Sequence, residues 1–153
     1  MVRVKMYPAK NGDAFLIDVD GNYILIDAGF ASTYRDFIAT DLSQLAKDGG
    51  RLKLVVCTHI DADHIGGLLE FFSLNGTPQE RGIEVDAVWH NSLRSLPAAT
   101  DMPDDLQDRM VLEAIRRRGF PVVATNSLSP ISARQGSSLA RLLRQHGYNW
   151  NSG

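Results

Sequence analysis

The run Leu52-Lys53-Leu54-Val55-Val56-Cys57 leads without a break into Thr58-His59-Ile60-Asp61-Ala62-Asp63-His64-Ile65-Gly66-Gly67. A short, nearly continuous apolar run reads as a buried strand. Beyond it, Ile65 to Leu74 carries Leu68, Leu69, Phe71 and Phe72 at helical spacing, and Asn75-Gly76-Thr77-Pro78 ends that pattern. Strand, polar loop and helix in direct succession put the loop at the carboxyl end of a strand. Ligands in α/β sheets usually bind there.

The flanking sequence extends this unit. Val2-Arg3-Val4-Lys5-Met6 alternates with the period of a strand. Ala14–Val19 and Tyr23–Ile26 are β-rich runs joined by Asp20-Gly21-Asn22, which predicts a hairpin. From Thr33 to about Lys47 the apolar spacing becomes three and four, which predicts an amphipathic helix ended by Gly49-Gly50. Ile83–Trp89 reads as a further strand. Residues 97–105 read as a loop, Asp105–Arg118 as a helix and Pro121–Ala124 as a short edge strand. Ser137–His146 reads as a last helix, and Asn149–Gly153 as a loop with no closing element. The fold class is therefore α/β, a mixed sheet with helices packed on it.

The 153 residues suit one domain, and a hydrophobic content of 44% supplies a real core. A net charge of −2 removes the global basic footprint of an obligate nucleic-acid binder. Arg116-Arg117-Arg118 is the tight basic cluster, and it suits the end of a helix. One cysteine, Cys57, excludes an internal disulfide and, with no secretory apolar segment at the start, predicts a cytoplasmic setting. No apolar run approaches the roughly 20 residues that span a bilayer.

His59 and Asp61 are two residues apart and project to one side of an extended segment. Asp63 and His64 follow where the chain turns. Asp63 alone reads as a helix cap, and His64 alone as a satisfied polar contact. The four together, straight after an apolar strand, read as a metal site. Imidazole suits zinc, iron, nickel or copper, and carboxylate adds manganese. Two metals about 3.5–4 Å apart can share a bridging hydroxide. Gly66 and Gly67 let the helix start approach its neighbours closely. Cys57 reads as a buried strand residue rather than a thiolate ligand.

Thr58-His59-Ile60-Asp61-Ala62-Asp63-His64-Ile65-Gly66-Gly67 resembles the signature of the metallo-β-lactamase fold hydrolases, whose usual form is His-x-His-x-Asp-His-x-Gly. Asp61 stands where the second histidine usually stands. That variant is similar to the metallo-β-lactamase-like domain of the DNA-internalisation competence proteins. Gly21-Asn22-Tyr23-Ile24-Leu25-Ile26-Asp27-Ala28-Gly29 resembles the family's first motif, and Asn11-Gly12-Asp13-Ala14-Phe15-Leu16 is a familiar opening for that branch. The resemblance is strong over residues 1–75 and weak over 76–153, where an insertion is expected.

The resemblance implies an αββα sandwich, of which this chain holds the N-terminal half. It implies that His59 and Asp61 serve one metal and Asp63 and His64 the other. Asp63 would also be the general base, and Asp27 would orient the metal loop from behind it. The cofactor implied is zinc, two ions per complete site, with manganese or iron as alternatives. The reaction implied is attack of a bridging hydroxide on an ester, amide or phosphodiester, nucleic acid included.

A catalytic zinc usually keeps three protein ligands, and the motif supplies two residues per metal. His90, after a strand, is a candidate further ligand or substrate contact. His146 suits a helix C-terminus instead. Completion of the site is therefore expected from a partner chain or a missing C-terminal half. Half a sandwich exposes an apolar sheet face, so oligomerisation is expected. Two other readings stand beside this one. A non-catalytic binding or regulatory module would keep the metal loop without its full ligand set. A phosphoesterase of the kind named for its Asp-His-His motif would use the same local pattern on small phosphodiesters, although no such triplet occurs here.

Overall fold

The computed structural model describes residues 1–90 and 131–151. The expected loop, helix and edge strand between residues 97 and 124, with the arginine cluster, lie outside the described residues. Five strands form one sheet in the order β1 (Val2–Met6), β2 (Phe15–Val19), β3 (Asn22–Ile26), β4 (Leu52–Cys57), β5 (Val88–His90). The first three are antiparallel, whereas β3, β4 and β5 run parallel. This is the expected mixed sheet.

The hairpin forms because Asp20 and Gly21 both hold positive φ, 49° and 86°. That is the two-residue turn whose twist matches its strands. Between β3 and β4 the chain is helical from Ala31 to Lys47, as α1 (Ala31–Thr33), a π turn (Tyr34–Ile38) and α2 (Ala39–Lys47). Helix α3 (Ala62–Asn75) follows β4, and α4 (Ile131–Gln145) packs on α3.

Several boundaries differ from the sequence reading, among them the last helix, which starts at Ile131 rather than Ser137. Helix α3 begins at Ala62 with Asp61 as its extended N-cap, so Asp63 and His64 sit in its first turn and not in a loop. The Ile83–Trp89 run narrows to β5, with Val85 making only an isolated bridge to Leu52. Asp86 turns out there to Arg51 and Lys53, at 3.2 and 2.8 Å. The last residues are not an unattached loop. Trp150 bridges Val88, and Asn149 and Asn151 complete the backbone bonds at the edge of β5.

The two faces of the sheet are unlike. Leu25, Val55, Cys57 and Val88 are buried among α-helical Ile65, Leu68, Phe71 and Phe72. Strand pairing puts Val2, Val4 and Met6 on the other face with Phe15, Ile17 and Val19. Ile24, Ile26, Leu54, Val56 and Trp89 continue it. The residues named on this face are all apolar. Its β2, β3 and β4 residues are half-buried, whereas Val2, Val4, Met6 and Trp89 are exposed, Val4 by 61% and Trp89 by 57%. Among the described residues no helix is long and apolar enough to cross a membrane.

Candidate metal centre

Because β3 and β4 are parallel, their carboxyl ends lie side by side. Ile26 pairs with Val56, and the Asp27 amide donates to the Val56 carbonyl at 2.8 Å. Asp27 leaves the strand with φ 50°, a left-handed conformation that Asp tolerates better than most residues. Its carboxylate is thereby turned toward the residues that leave β4. It is 1% exposed.

That one carboxylate organises both histidines. Its Oδ1 accepts the Thr58 amide at 2.8 Å. Its Oδ2 accepts the Thr58 hydroxyl and, at 2.9 Å, the His64 Nδ1 proton. Thr58 Oγ1 donates its one proton in the bond to Asp27, so it accepts from His59 Nδ1 at 2.8 Å. The tautomers follow from this chain of donors. Both imidazoles donate through Nδ1 and are left with a lone pair on Nε2 for a metal. The rings stand 4.9 Å apart. Among the described residues, Asp27, His59 and His64 form a group whose candidate ligand atoms all lie within 4.8 Å of one another.

A divalent metal of the imidazole-and-carboxylate type fits this donor set. Partial burial pushes the His64 imidazolium down. The Asp27 hydrogen bond and charge, with the charges of Asp63 and Asp13, outweigh that and raise it from its ordinary value of 6.5. The site is thus a well of negative potential. Metal binding and protonation compete for the same imidazole there.

The expected ligands are distributed as follows. His59 and His64 come together with Asp27. Asp61 and Asp63 lie on the same turn but outside that group. Asp61 caps α3 through its backbone carbonyl, which accepts the His64 and Ile65 amides, both at 2.9 Å. Asp63 is half-buried in the first turn of α3, where the helix dipole favours an anion. His90 is 2% exposed at the end of β5, its ring 6.1 Å from that of Trp150. His146 bonds the Phe72 carbonyl through Nδ1 at 3.1 Å. Burial pushes the Cys57 thiol up to about 12, so it has no tendency to act as a thiolate. Beside Thr58 opens a cavity of about 380 Å³, lined by Val56, Cys57, Thr58, Trp89, His90 and Asn151.

Thr58 is the residue that the sequence reading passes over. A hydroxyl has no periodicity and no motif of its own, and its place before His59 was the one available signal. It predicts a specific result. Thr58→Val keeps the shape but cuts His59 from Asp27, and should weaken metal binding by about 10–100-fold. Thr58→Ser should restore it. Isothermal titration with zinc checks both. An unchanged affinity in the Val variant would show that the relay is idle.

The close packing of glycines fixes this arrangement. A Cβ on Gly67 would lie 2.1 Å from the Ala28 carbonyl oxygen, and the Gly67 amide donates to Gly29 at 2.8 Å. Helix α3 therefore rests directly on the loop that carries Asp27.

Comparison with known proteins places the chain. The model describing the metallo-beta-lactamase superfamily matches residues 7–137. No curated protein matches. Among solved structures, a Cronobacter sakazakii protein described by a metallo-beta-lactamase HARLDQ motif is 20% identical, with a TM-score of 0.37, over 57% of this chain and 30% of its own. The hydrolase AbOPH of the beta lactamase superfamily is 16% identical, with a TM-score of 0.40, over 90% of this chain and 41% of its own. The chain thus spans under half the length of either structure.

Proposed function

The chain belongs to the metallo-beta-lactamase superfamily, whose members are generally metal-dependent hydrolases, and from that premise we propose that it hydrolyses an ester or phosphodiester bond. The observation that carries this reading is the grouping of Asp27, His59 and His64 within 4.8 Å, with Asp27 and Thr58 engaging the Nδ1 atoms of the two imidazoles. His59 and Asp61 would hold one metal and Asp63 and His64 the other, and zinc suits both pairs. When bound, it supplies Lewis acidity. Asp63 takes the proton of the attacking water and hands it to the leaving group. Asp27 and Thr58 fix the imidazoles. The cavity beside Thr58 offers room for the group next to the scissile bond, with Trp89 at its rim.

Phosphodiesters, nucleic acid among them, are favoured by the likeness of the Asp61 variant to the domain of DNA-internalisation proteins. The test is hydrolysis of bis(p-nitrophenyl) phosphate against p-nitrophenyl acetate by the zinc- or manganese-loaded chain. Metal-dependent release from the diester supports the reading. Release from neither ester with either metal would overturn it for this chain.

The open apolar face supports a partner. A second sheet layer, from another chain or from further sequence, would cover it and supply the remaining ligands. Val4→Lys puts a charge in that face on an edge strand, where the fold tolerates it. Sedimentation should show the parent self-associating at micromolar concentration and Val4→Lys shifted to monomer. A monomeric parent would contradict this. The single cysteine supports a cytoplasmic setting.

A further inference from the structure

Asn11-Gly12-Asp13 reads as a turn, yet the need for glycine at its centre is not a matter of backbone angle. The positive φ in this turn, 62°, belongs to Lys10, and Gly12 is not among the glycines with positive φ. What Gly12 supplies is close approach. A Cβ there would lie 1.7 Å from the Asp63 carbonyl oxygen, 2.5 Å from its carbonyl carbon and 2.9 Å from its Cβ. No rotamer change relieves a clash with backbone.

The turn is itself held rigidly. Tyr7, Ala9 and Ala14 at its base are buried. The Gly12 amide donates to Ala9 at 3.3 Å, and the Tyr7 amide to Ala14 at 2.9 Å. The turn also holds the loop behind the histidines, because the Gly29 amide donates to the Asp13 carbonyl at 3.1 Å. That loop in turn meets α3, as the Ala28 amide donates to the His64 carbonyl at 3.2 Å. The turn, the Asp27–Gly29 loop and the start of α3 thus close a ring of backbone contacts that includes Asp63 and His64.

We propose that the Ala9–Ala14 turn is part of the metal centre, with Gly12 as the positioning residue that sets the seat of Asp63 and so the direction of the Asp63 and His64 side chains. The claim deepens the metallo-hydrolase reading and rests on it for its purpose. The contact itself can be tested without a metal. Gly12 touches neither substrate nor metal. It acts by fixing where the Asp63 backbone can be, and a displaced backbone carries both side chains with it.

Gly12→Ala is the test, with Gly50→Ala as its control. A Cβ on Gly50 would meet Leu45 Cδ1 at 2.2 Å, at the far end of α2, so the control disturbs packing away from the site. In the metal-free chain, Gly12→Ala should speed hydrogen exchange at the Ala28, Gly29 and Gly67 amides by at least about tenfold and leave the β2–β3 ladder unchanged. Gly50→Ala should leave those three amides at the parental rate. With cobalt(II), Gly12→Ala should bind at least about tenfold more weakly and with a shifted visible spectrum. Parental exchange at the three amides in Gly12→Ala would overturn the proposal. If that variant does not fold, exchange in the parent across sub-denaturing urea decides. Gly12, Ala28 and Gly29 should open together, and a Gly12 that opens while the other two stay protected would overturn it. A parent that holds no cobalt counts against the metal reading, while the exchange results still judge the turn.

Discussion

Asp63→Asn should lower metal-dependent turnover by about 10²–10⁴-fold, the range that loss of a positioned proton acceptor commonly costs. The amide has nearly the same shape, keeps one oxygen for a metal and cannot take a proton from water at neutral pH. Asp63 sits in the first turn of α3, against the Gly12 backbone and outside the Asp27 network. Its replacement therefore leaves the histidine tautomers alone. Metal content separates the two roles assigned to it. A proton acceptor predicts turnover falling far more than bound metal. A ligand alone predicts the two falling in proportion. Turnover at the parental rate would remove Asp63 from the chemistry.

Asp27→Ala should be the most damaging single change at the site. The carboxylate is buried and accepts from the Thr58 amide, the Thr58 hydroxyl and His64 Nδ1. Removing it leaves three donors without their acceptor, each worth about 1–3 kcal/mol when stranded and less where water reaches it. It also puts alanine at φ 50°, a conformation costing about 1 kcal/mol or more. The combined loss, partly relieved by relaxation and water, should be about 2–4 kcal/mol in urea unfolding. Metal affinity should fall by about 10–100-fold or more, since both imidazoles lose the partner that fixes their tautomer. Asp27→Asn tolerates the backbone and should recover most of the stability without the affinity. Full metal affinity in Asp27→Ala would mean that the histidines orient themselves.

Much of this was legible in the residues. The hairpin was readable because Asp20-Gly21 allows only a few turn types between two β-rich runs. The closeness of His59 and His64 was readable from ligand-type side chains crowded behind a buried strand, whereas Asp61 and Asp63 lie outside the group that Asp27 completes. The start of α3 was misread for the same reason. Asp63 and His64 were assigned to a loop because of their chemistry, while the chain was free to place them in the first helical turn behind an Asp61 cap. The ends of β5 depend on Asp86 reaching Lys53 on β4 and Arg51 just before it, and on Trp150 returning to Val88 from far along the chain. Local periodicity carries neither. Thr58 and Gly12 matter for what they approach, and close approach is a property of the fold rather than of a stretch of chain.

The central claim is that residues 58–64 hold a metal through His59 and His64. The most direct measurement is elemental mass spectrometry of the purified chain after zinc loading and desalting, beside the His59→Ala/His64→Ala double variant. The account predicts about one or more zinc per parent chain, and almost none in a double variant whose circular dichroism is unchanged. A parent without zinc, or a double variant that holds as much as the parent, would contradict it.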